Sequence, residues 1–153
     1  MRRGLALLMA GAVVGCVTEP AASPIEVTVS ASASSIVYGQ PDTIAASVRN
    51  PSSDPVTLHF GSGCQVLPFV RRAGGDVLVP DGGWSCPAEL TTLTLAPRTS
   101  RRWTFVWTGG TQFHPTSALA ALPPGDYESF VRIQAAEVEL ISSGAPIQLR
   151  AAP

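Results

Sequence analysis

Apolar and polar residues alternate in short runs along most of this chain, and turn residues separate the runs. A period of two residues is typical of a β-strand with one buried face. Turn signals recur roughly every 8 to 12 residues, which is the spacing of antiparallel β-sandwiches. We therefore predict an all-β fold, an immunoglobulin-like antiparallel β-sandwich of about seven to nine strands. The pattern is present in residues 25–29, 44–48, 56–60, 66–72, 77–79, 93–95, 103–107, 127–133 and 147–149.

Length and composition limit the chain to one domain and narrow its class. It has 153 residues, of which 45% are hydrophobic and 14% are charged. A chain of this size buries enough apolar surface for a core of its own. The formal net charge is −1, which argues against a nucleic acid as the partner because nucleic-acid-binding domains are strongly basic.

The first residues have the pattern of an export signal. Arg2 and Arg3 precede an apolar stretch at residues 5–14, which is too short to span a bilayer. The stretch ends in Val-Val-Gly-Cys at Cys16, which resembles a bacterial lipobox. That resemblance implies cleavage after Gly15 and attachment of diacylglycerol and a fatty acyl chain such as palmitate to Cys16. The alternative is an ordinary signal peptide that happens to contain a cysteine.

The lipobox divides the chain into three parts. Residues 1–15 are the predicted lipoprotein signal peptide, residues 16–24 a tether rich in Pro, Ala and Ser, and residues 25–153 the β-sandwich domain. We expect an exported protein that is held on a membrane by its lipid. Val17 is not the aspartate that retains lipoproteins at the inner membrane of some bacteria. This favours the outer membrane, or the outer face of the cell membrane where there is only one.

Two cysteines remain after Cys16 is assigned to the lipid. Cys64 and Cys86 are separated by 22 positions and belong to a chain expected in an oxidising compartment. We predict a structural disulfide between them. A redox-active or metal-binding pair is the alternative, although the chain has no Cys-x-x-Cys spacing.

A turn before the longest alternating run carries a tyrosine. The sequence Pro-Pro-Gly-Asp-Tyr ends at Tyr127, and Gly125 lies inside the turn. In Greek-key sandwiches a tyrosine at this place donates its hydroxyl proton back to the backbone across a corner. We predict such a structural role for Tyr127 and Gly125, with a generic turn as the alternative.

Groups able to support catalysis or metal binding are few. His59 and His114 are the only histidines, and a copper site built from them with Cys86 would also need a thioether that the chain lacks after residue 9. No Gly-x-Ser-x-Gly motif is present. Glu137 and Glu139 are interpreted as a solvated pair on one strand face. We expect no cofactor, no metal and no enzymatic activity.

Four motifs in order resemble one known family. They lie in residues 48–63, 93–97, 105–107 and 122–127, and together they look like the bacterial BsuPI-type domain, named for an intracellular proteinase inhibitor. The similarity spans residues 30–134. It implies an immunoglobulin-like fold and raises proteinase inhibition as a function. This chain departs from the family in its export signal and in its cysteine pair, and no inhibitory residue can be assigned from the resemblance.

The segment between the cysteines is the predicted partner-binding region. Residues 61–86 are rich in glycine and contain Trp84, Arg71 and Arg72, which are residue types enriched at binding hot spots. The alternative for Trp84 is packing over the disulfide. We expect a monomeric envelope lipoprotein whose domain binds an envelope protein. A proteinase inhibitor that presents residues 61–86 to a protease is the alternative function, and a purely structural accessory domain is a further one.

The lipobox predicts a direct effect of one substitution. Cys16→Ser removes the thiol that accepts the diacylglycerol, so the precursor should stay uncleaved or the protein should move from the membrane to the soluble fraction. Fractionation of cells followed by mass spectrometry of the N-terminus measures both outcomes. Maturation and membrane pelleting of the Cys16→Ser protein would show that the lipobox interpretation is wrong.

Overall fold

The structure is a computed structural model that describes residues 23–113 and 120–151. The predictions for residues 1–15, Cys16 and His114 lie outside these residues. The described part contains eleven strands and no helix, so it also contains no helix long and apolar enough to cross a membrane. The strands are β1 (Glu26–Ala31), β2 (Ser35–Val37), β3 (Asp42–Arg49), β4 (Val56–Phe60), β5 (Leu67–Arg72), β6 (Val77–Val79), β7 (Thr91–Leu95), β8 (Ser100–Trp107), β9 (Gly125–Gln134), β10 (Glu139–Ile141) and β11 (Ala145–Arg150).

The strands form an immunoglobulin-like β-sandwich, which confirms the predicted fold class. One sheet has the order β1-β3-β8, and the facing sheet has the order β2-β11-β9-β5-β6, with β10 added to β9. A two-stranded ladder of β4 and β7 completes the fold. All pairs are antiparallel except β2 with β11. The nine predicted segments are all strands, and two strands, β2 and β10, were missed. Both have three residues, as β6 does, but β6 follows the Gly-Gly-Asp turn that indicates a hairpin.

Two clusters of buried side chains form the core between the sheets. The first joins the β4–β7 ladder to both sheets through Leu58, Phe60, Leu93, Leu95, Val48 and Ile133, among others. The second surrounds Trp107, which is completely buried, and includes Ile44, Val70, Tyr127, Ile147 and Leu149. Each cluster is formed by side chains on the apolar face of its strands, because successive residues of a strand point to opposite sides.

A buried asparagine fastens the end of the sandwich at the β3–β4 turn. The Asn50 side-chain amide donates to the carbonyl oxygens of Asp54, Leu95 and Ala96 at 2.8, 3.1 and 3.2 Å. Its carbonyl oxygen accepts from the backbone N–H and the hydroxyl of Ser52 at 2.9 and 2.7 Å. Asn50 therefore connects its own turn to the end of β7 and leaves none of its polar atoms unpaired in the interior.

Tyr127 occupies the corner where β9 begins. Its ring is buried and lies edge-on to Trp107, with 5.8 Å between ring centroids. Its hydroxyl donates to the Pro123 carbonyl oxygen at 2.6 Å, which is the bond expected of a corner tyrosine. Burial raises the pKa of Tyr127, and the nearby Arg72 charge partly opposes that shift. Gly125 has φ +158°, and a Cβ there would come within 3.3 Å of the Arg72 guanidinium.

His59 and Glu137 form a hydrogen-bonded pair on the surface of β4. The His59 side chain points away from the core, and its backbone N–H donates to the Glu137 carboxylate at 2.9 Å. The ring Nδ1 lies 2.5 Å from the other carboxylate oxygen. These bonds hold the pKa of the Glu137 carboxyl below its usual range. Glu137 and Glu139 are both exposed, as expected, but they are not a pair on one strand face, because Glu137 precedes β10 while Glu139 lies in it.

The Asn50 bonds predict the cost of two substitutions. Asn50→Ala leaves buried carbonyl oxygens without donors, so the free energy of unfolding should fall by about 2–3 kcal/mol. Asn50→Asp should cost more, since it places a carboxylate oxygen against those carbonyl oxygens. Urea denaturation followed by tryptophan fluorescence measures both. Ser53→Ala, an exposed position in the same turn, is the control and should leave the midpoint unchanged. An Asn50→Asp protein as stable as the wild type would contradict this account.

Candidate functional site

A disulfide bond joins the segment before β5 to the loop that follows β6. Cys64 and Cys86 are bonded with their Cα atoms 5.5 Å apart, which confirms the predicted pair. The bond closes a segment of 22 residues, and the chain-entropy model assigns about 3 kcal/mol of stabilisation to such a loop. The β5–β6 hairpin lies inside the closed segment. The segment therefore contains a hairpin, and its longest stretch without strand structure is residues 80–86.

Trp84 is held against the side of the sandwich by that loop. Its indole Nε1 donates to the Pro68 carbonyl oxygen at 2.9 Å. Its ring stacks on the buried Phe113, with centroids 5.8 Å apart and planes inclined by 18°. Trp84 is half-buried. The packing found for its ring is on Phe113, whereas the alternative stated above was packing over the disulfide, and Trp84 also lines a surface cleft.

The cleft lies between this loop, the start of β5 and the inward face of β8. Its volume is about 240 Å³, and its lining is largely apolar. The side chains and atoms that line it include Cys64, Val66, Pro68, Trp84, Trp103 and Phe105. Gln65 also lines it and donates its side-chain amide to the Thr92 carbonyl oxygen at 3.0 Å. The cleft is therefore an aromatic cavity with a fixed polar group at one side.

The geometry of β8 explains why the cleft is open. Alternation places Trp103, Phe105 and Trp107 on the same face of the strand. Trp107 is buried by the facing sheet, whereas Trp103 and Phe105 are half-buried at the side of the sandwich. Alternation alone would assign all three to the core, and Trp103 and Phe105 do pack against it at its side. The sequence signal that separates Trp103 and Phe105 from Trp107 is Arg101, two residues before Trp103 on the same face. A charged residue on the inward face indicates that this part of the strand is not covered by the facing sheet.

The structure does not bring Arg71 together with Trp84. Arg71 lies on the outer face of β5, because the alternate residues Pro68 and Val70 take the buried face. Its guanidinium Nε and a terminal nitrogen lie 2.9 and 2.8 Å from one Glu128 carboxylate oxygen. The Trp84 side chain packs toward the core on the other side of the same sheet. Two of the predicted partner-binding residues, Trp84 and Arg71, therefore lie on different sides of the sheet, and their role in binding stays a prediction.

Arg71 instead belongs to a stack of side chains on the outer face. Its guanidinium lies 5.3 Å from the Phe130 ring centroid, and Phe130 stacks on Phe69 at 5.4 Å. The Arg132 guanidinium lies 5.2 Å from Phe69 at the other end. This stack covers Phe130, which is only 4% exposed although alternation predicts a solvated position. Arg72 is exposed at the end of β5, beside Gly125.

Within residues 23–113 and 120–151, no group of three or more His, Cys, Asp or Glu side chains is arranged to hold a metal ion. The position of His114 lies outside these residues, so the copper site weighed above has two described members, His59 and Cys86. Cys86 is bonded to Cys64. A disulfide sulfur is not a thiolate ligand.

Comparison with known proteins gives weak similarity to solved structures. No protein-family model matches the chain, and no curated protein matches it. Similar structures include a β-glucosidase from Erythrobacter marinus, with TM-score 0.49, 13% identity, and coverage of 82% of this chain and 15% of that chain. An alkylpurine DNA glycosylase from Pseudomonas fluorescens bound to DNA has a TM-score of 0.49 and 11% identity, with coverage of 84% of this chain and 31% of that chain. A β-glucosidase from Listeria innocua has a TM-score of 0.44 and 12% identity, with coverage of 82% of this chain and 16% of that chain.

This chain thus spans less than a third of the length of each of these proteins. At such scores the similarities carry no argument about what this chain binds or catalyses.

The position of Trp84 predicts two different losses of stability. Trp84→Ala removes the stack on Phe113 and should lower the free energy of unfolding by about 1–3 kcal/mol. Trp84→Phe keeps the stack and loses the bond to Pro68, so about 1 kcal/mol should be lost. Urea denaturation followed by circular dichroism measures both. Leu90→Ala, at an 87% exposed position of the same loop, is the control. A Trp84→Ala protein as stable as this control would contradict the packing described here.

Proposed function

We propose that this chain is a membrane-anchored lipoprotein of the bacterial cell envelope whose immunoglobulin-like domain binds a protein partner and catalyses no reaction. The observation that carries the proposal is the aromatic cleft beside the disulfide, lined by Trp84, Trp103 and Phe105. Aromatic side chains in a partly buried pocket are the commonest energetic centres of protein interfaces. The lipobox-like sequence at Cys16 supports the proposed location on a membrane.

The cleft is fixed before any partner arrives. The disulfide at Cys86, the Trp84–Pro68 hydrogen bond and the stack on Phe113 each restrain the loop that forms one wall. A wall restrained in this way loses little conformational entropy on binding, so more of the contact energy remains for affinity. This rigidity supports recognition by a preformed surface.

The chemistry of the lining supports binding over catalysis. The cysteine in the lining is oxidised, and Gln65 is the polar side chain there. Neither is a general acid or base at neutral pH. Apolar walls with one fixed hydrogen-bonding group suit the recognition of an apolar side chain and its neighbouring backbone.

The length of the tether limits where the partner is met. Residues 16–24 span at most about 30 Å when fully extended. A domain anchored through Cys16 therefore works close to the membrane surface. Its partner is accordingly a membrane protein or another component of the envelope within that distance.

Proteinase inhibition is the second candidate, and one observation favours it. Leu90 is 87% exposed and follows the disulfide-bonded Cys86 by four residues. The backbone between them is tied down, since the Gly63 N–H donates to the Pro87 carbonyl oxygen at 2.9 Å. An exposed apolar side chain on a restrained segment is a suitable insert for a protease cleft. The BsuPI resemblance supports the same candidate.

Site-specific photo-crosslinking in the native cells tests the main proposal. A photoreactive amino acid replaces Gln65 at the cleft, and the matched control replaces the exposed Gln148 on β11. We expect one discrete adduct from position 65 that is absent from position 148 and lost with Trp84→Ala. Equal adducts from both positions, or none from position 65, would contradict a partner at the cleft.

An inhibition assay with the purified domain separates the second candidate function from the first. Inhibition of a serine protease by the wild type, lost in Leu90→Gly but kept in Trp84→Phe, would support inhibition through the segment after Cys86. Absence of inhibition together with the discrete adduct at position 65 would support the binding domain alone.

A further inference from the structure

β8 is an edge strand next to the cleft. It pairs with β3 along its whole length on one side. On its other side, among residues 23–113 and 120–151, the backbone pairing found is the single bridge between Trp107 and Phe113. The stretch from Ser100 to Val106 therefore presents outward N–H and C=O groups without a described backbone partner. Such an edge is a template for another strand.

The same edge carries positive charge that no described carboxylate neutralises. Arg98 lies in the turn before β8, and Arg101 and Arg102 are exposed near its start. The ion pairs found in the described residues involve Arg49, His59 and Arg71 instead. Arg101 places its guanidinium 5.2 Å from the Trp103 ring centroid. The chain as a whole has a net charge of −1, so this edge is locally opposite in sign to the molecule.

Alternation along β8 determines what an added strand would meet. Trp103 and Phe105 face the cleft, while Arg102 and Thr104 face the opposite side of the sheet. An added strand keeps the same period of two residues. Its side chains on the cleft side therefore meet aromatic rings, and those on the other side meet Arg102.

We infer that the partner contributes an extended acidic segment that adds to the free edge of β8 as a further strand. Its backbone pairs with Ser100 to Val106, its apolar side chains enter the cleft at alternate positions, and its carboxylates lie against Arg102. This inference rests on the proposed binding function and specifies the chemistry of the partner. Backbone hydrogen bonds supply affinity in such strand addition, and the alternate side chains supply specificity.

The charges distinguish this partner from a second copy of the chain. Pairing of β8 with the same strand of another copy would bring two Arg101 and two Arg102 side chains into one ladder. No carboxylate from either β8 would lie among them, since the strand contains no acidic residue. Charged edge residues of this kind oppose self-association, whereas a carboxylate-bearing strand complements them.

Synthetic peptides test the inference on the full domain without its partner. The probe has eight residues in which glutamate and valine alternate, with both ends blocked. Two control peptides carry lysine in place of glutamate, or N-methyl groups at every second residue, which block one row of backbone hydrogen bonds. Fluorescence polarisation of labelled peptides measures the affinity. We expect the glutamate–valine peptide to bind and both controls to bind at least about tenfold more weakly.

Two charge variants locate the bound peptide. Arg102→Glu should weaken the glutamate–valine peptide about five- to tenfold and improve the lysine–valine peptide, because it reverses the charge on the face of β8 that the charged side chains of the peptide would meet. Arg150→Glu makes the same change at an exposed position of β11 and should alter neither affinity. Thermal denaturation checks that both variants remain folded.

Several outcomes would overturn the inference. Equal binding of the N-methylated peptide would exclude strand addition, and equal effects of Arg102→Glu and Arg150→Glu would exclude the edge of β8. Dimerisation of the domain in sedimentation, abolished by Arg102→Pro, would assign the edge to a second copy. A discrete adduct at position 65 without any peptide binding would overturn the acidic strand and leave the binding function supported.

Discussion

The alternation of three aromatic side chains on β8 is the constraint on which the core and the cleft both depend. Trp103, Phe105 and Trp107 must share one face, because successive residues of a strand point to opposite sides. The facing sheet covers Trp107 completely and leaves the other two at the side of the sandwich. One strand thus supplies the centre of the second core cluster and one wall of the cleft. Substitutions that shift β8 in register would disturb both.

The opposite wall depends on connections that are not part of any sheet. The loop carrying Trp84 has no strand structure, and its position comes from the Cys64–Cys86 bond and from the contacts of the indole with Pro68 and Phe113. The disulfide and the aromatic contacts therefore hold this loop in place without any strand pairing.

Sequence patterns predicted what is local and missed what depends on pairing between distant strands. Alternation within single segments identified nine strands, and the cysteine count identified the disulfide. The stack that covers Phe130 could not be predicted, because it requires the register that places Phe69 opposite Phe130 across β5 and β9. The separation of Arg71 from Trp84 combines a local cause with a distant one. Alternation along β5 places Arg71 on the outer face. The position of Trp84 depends on its contacts with Pro68 and Phe113, which are far from it in the sequence.

The proposed strand addition at β8 and the proposed membrane tether are complementary in energy. A single added strand of a few residues exposes much of its length to water, and complexes of this kind are often weak unless something else holds the partners together. A domain held within about 30 Å of a membrane meets a membrane-bound partner at a high effective concentration, commonly in the millimolar range for short linkers. We therefore propose that an edge with modest intrinsic affinity is sufficient for occupancy on the membrane, and that the tether selects a partner in the same envelope layer over a segment free in solution.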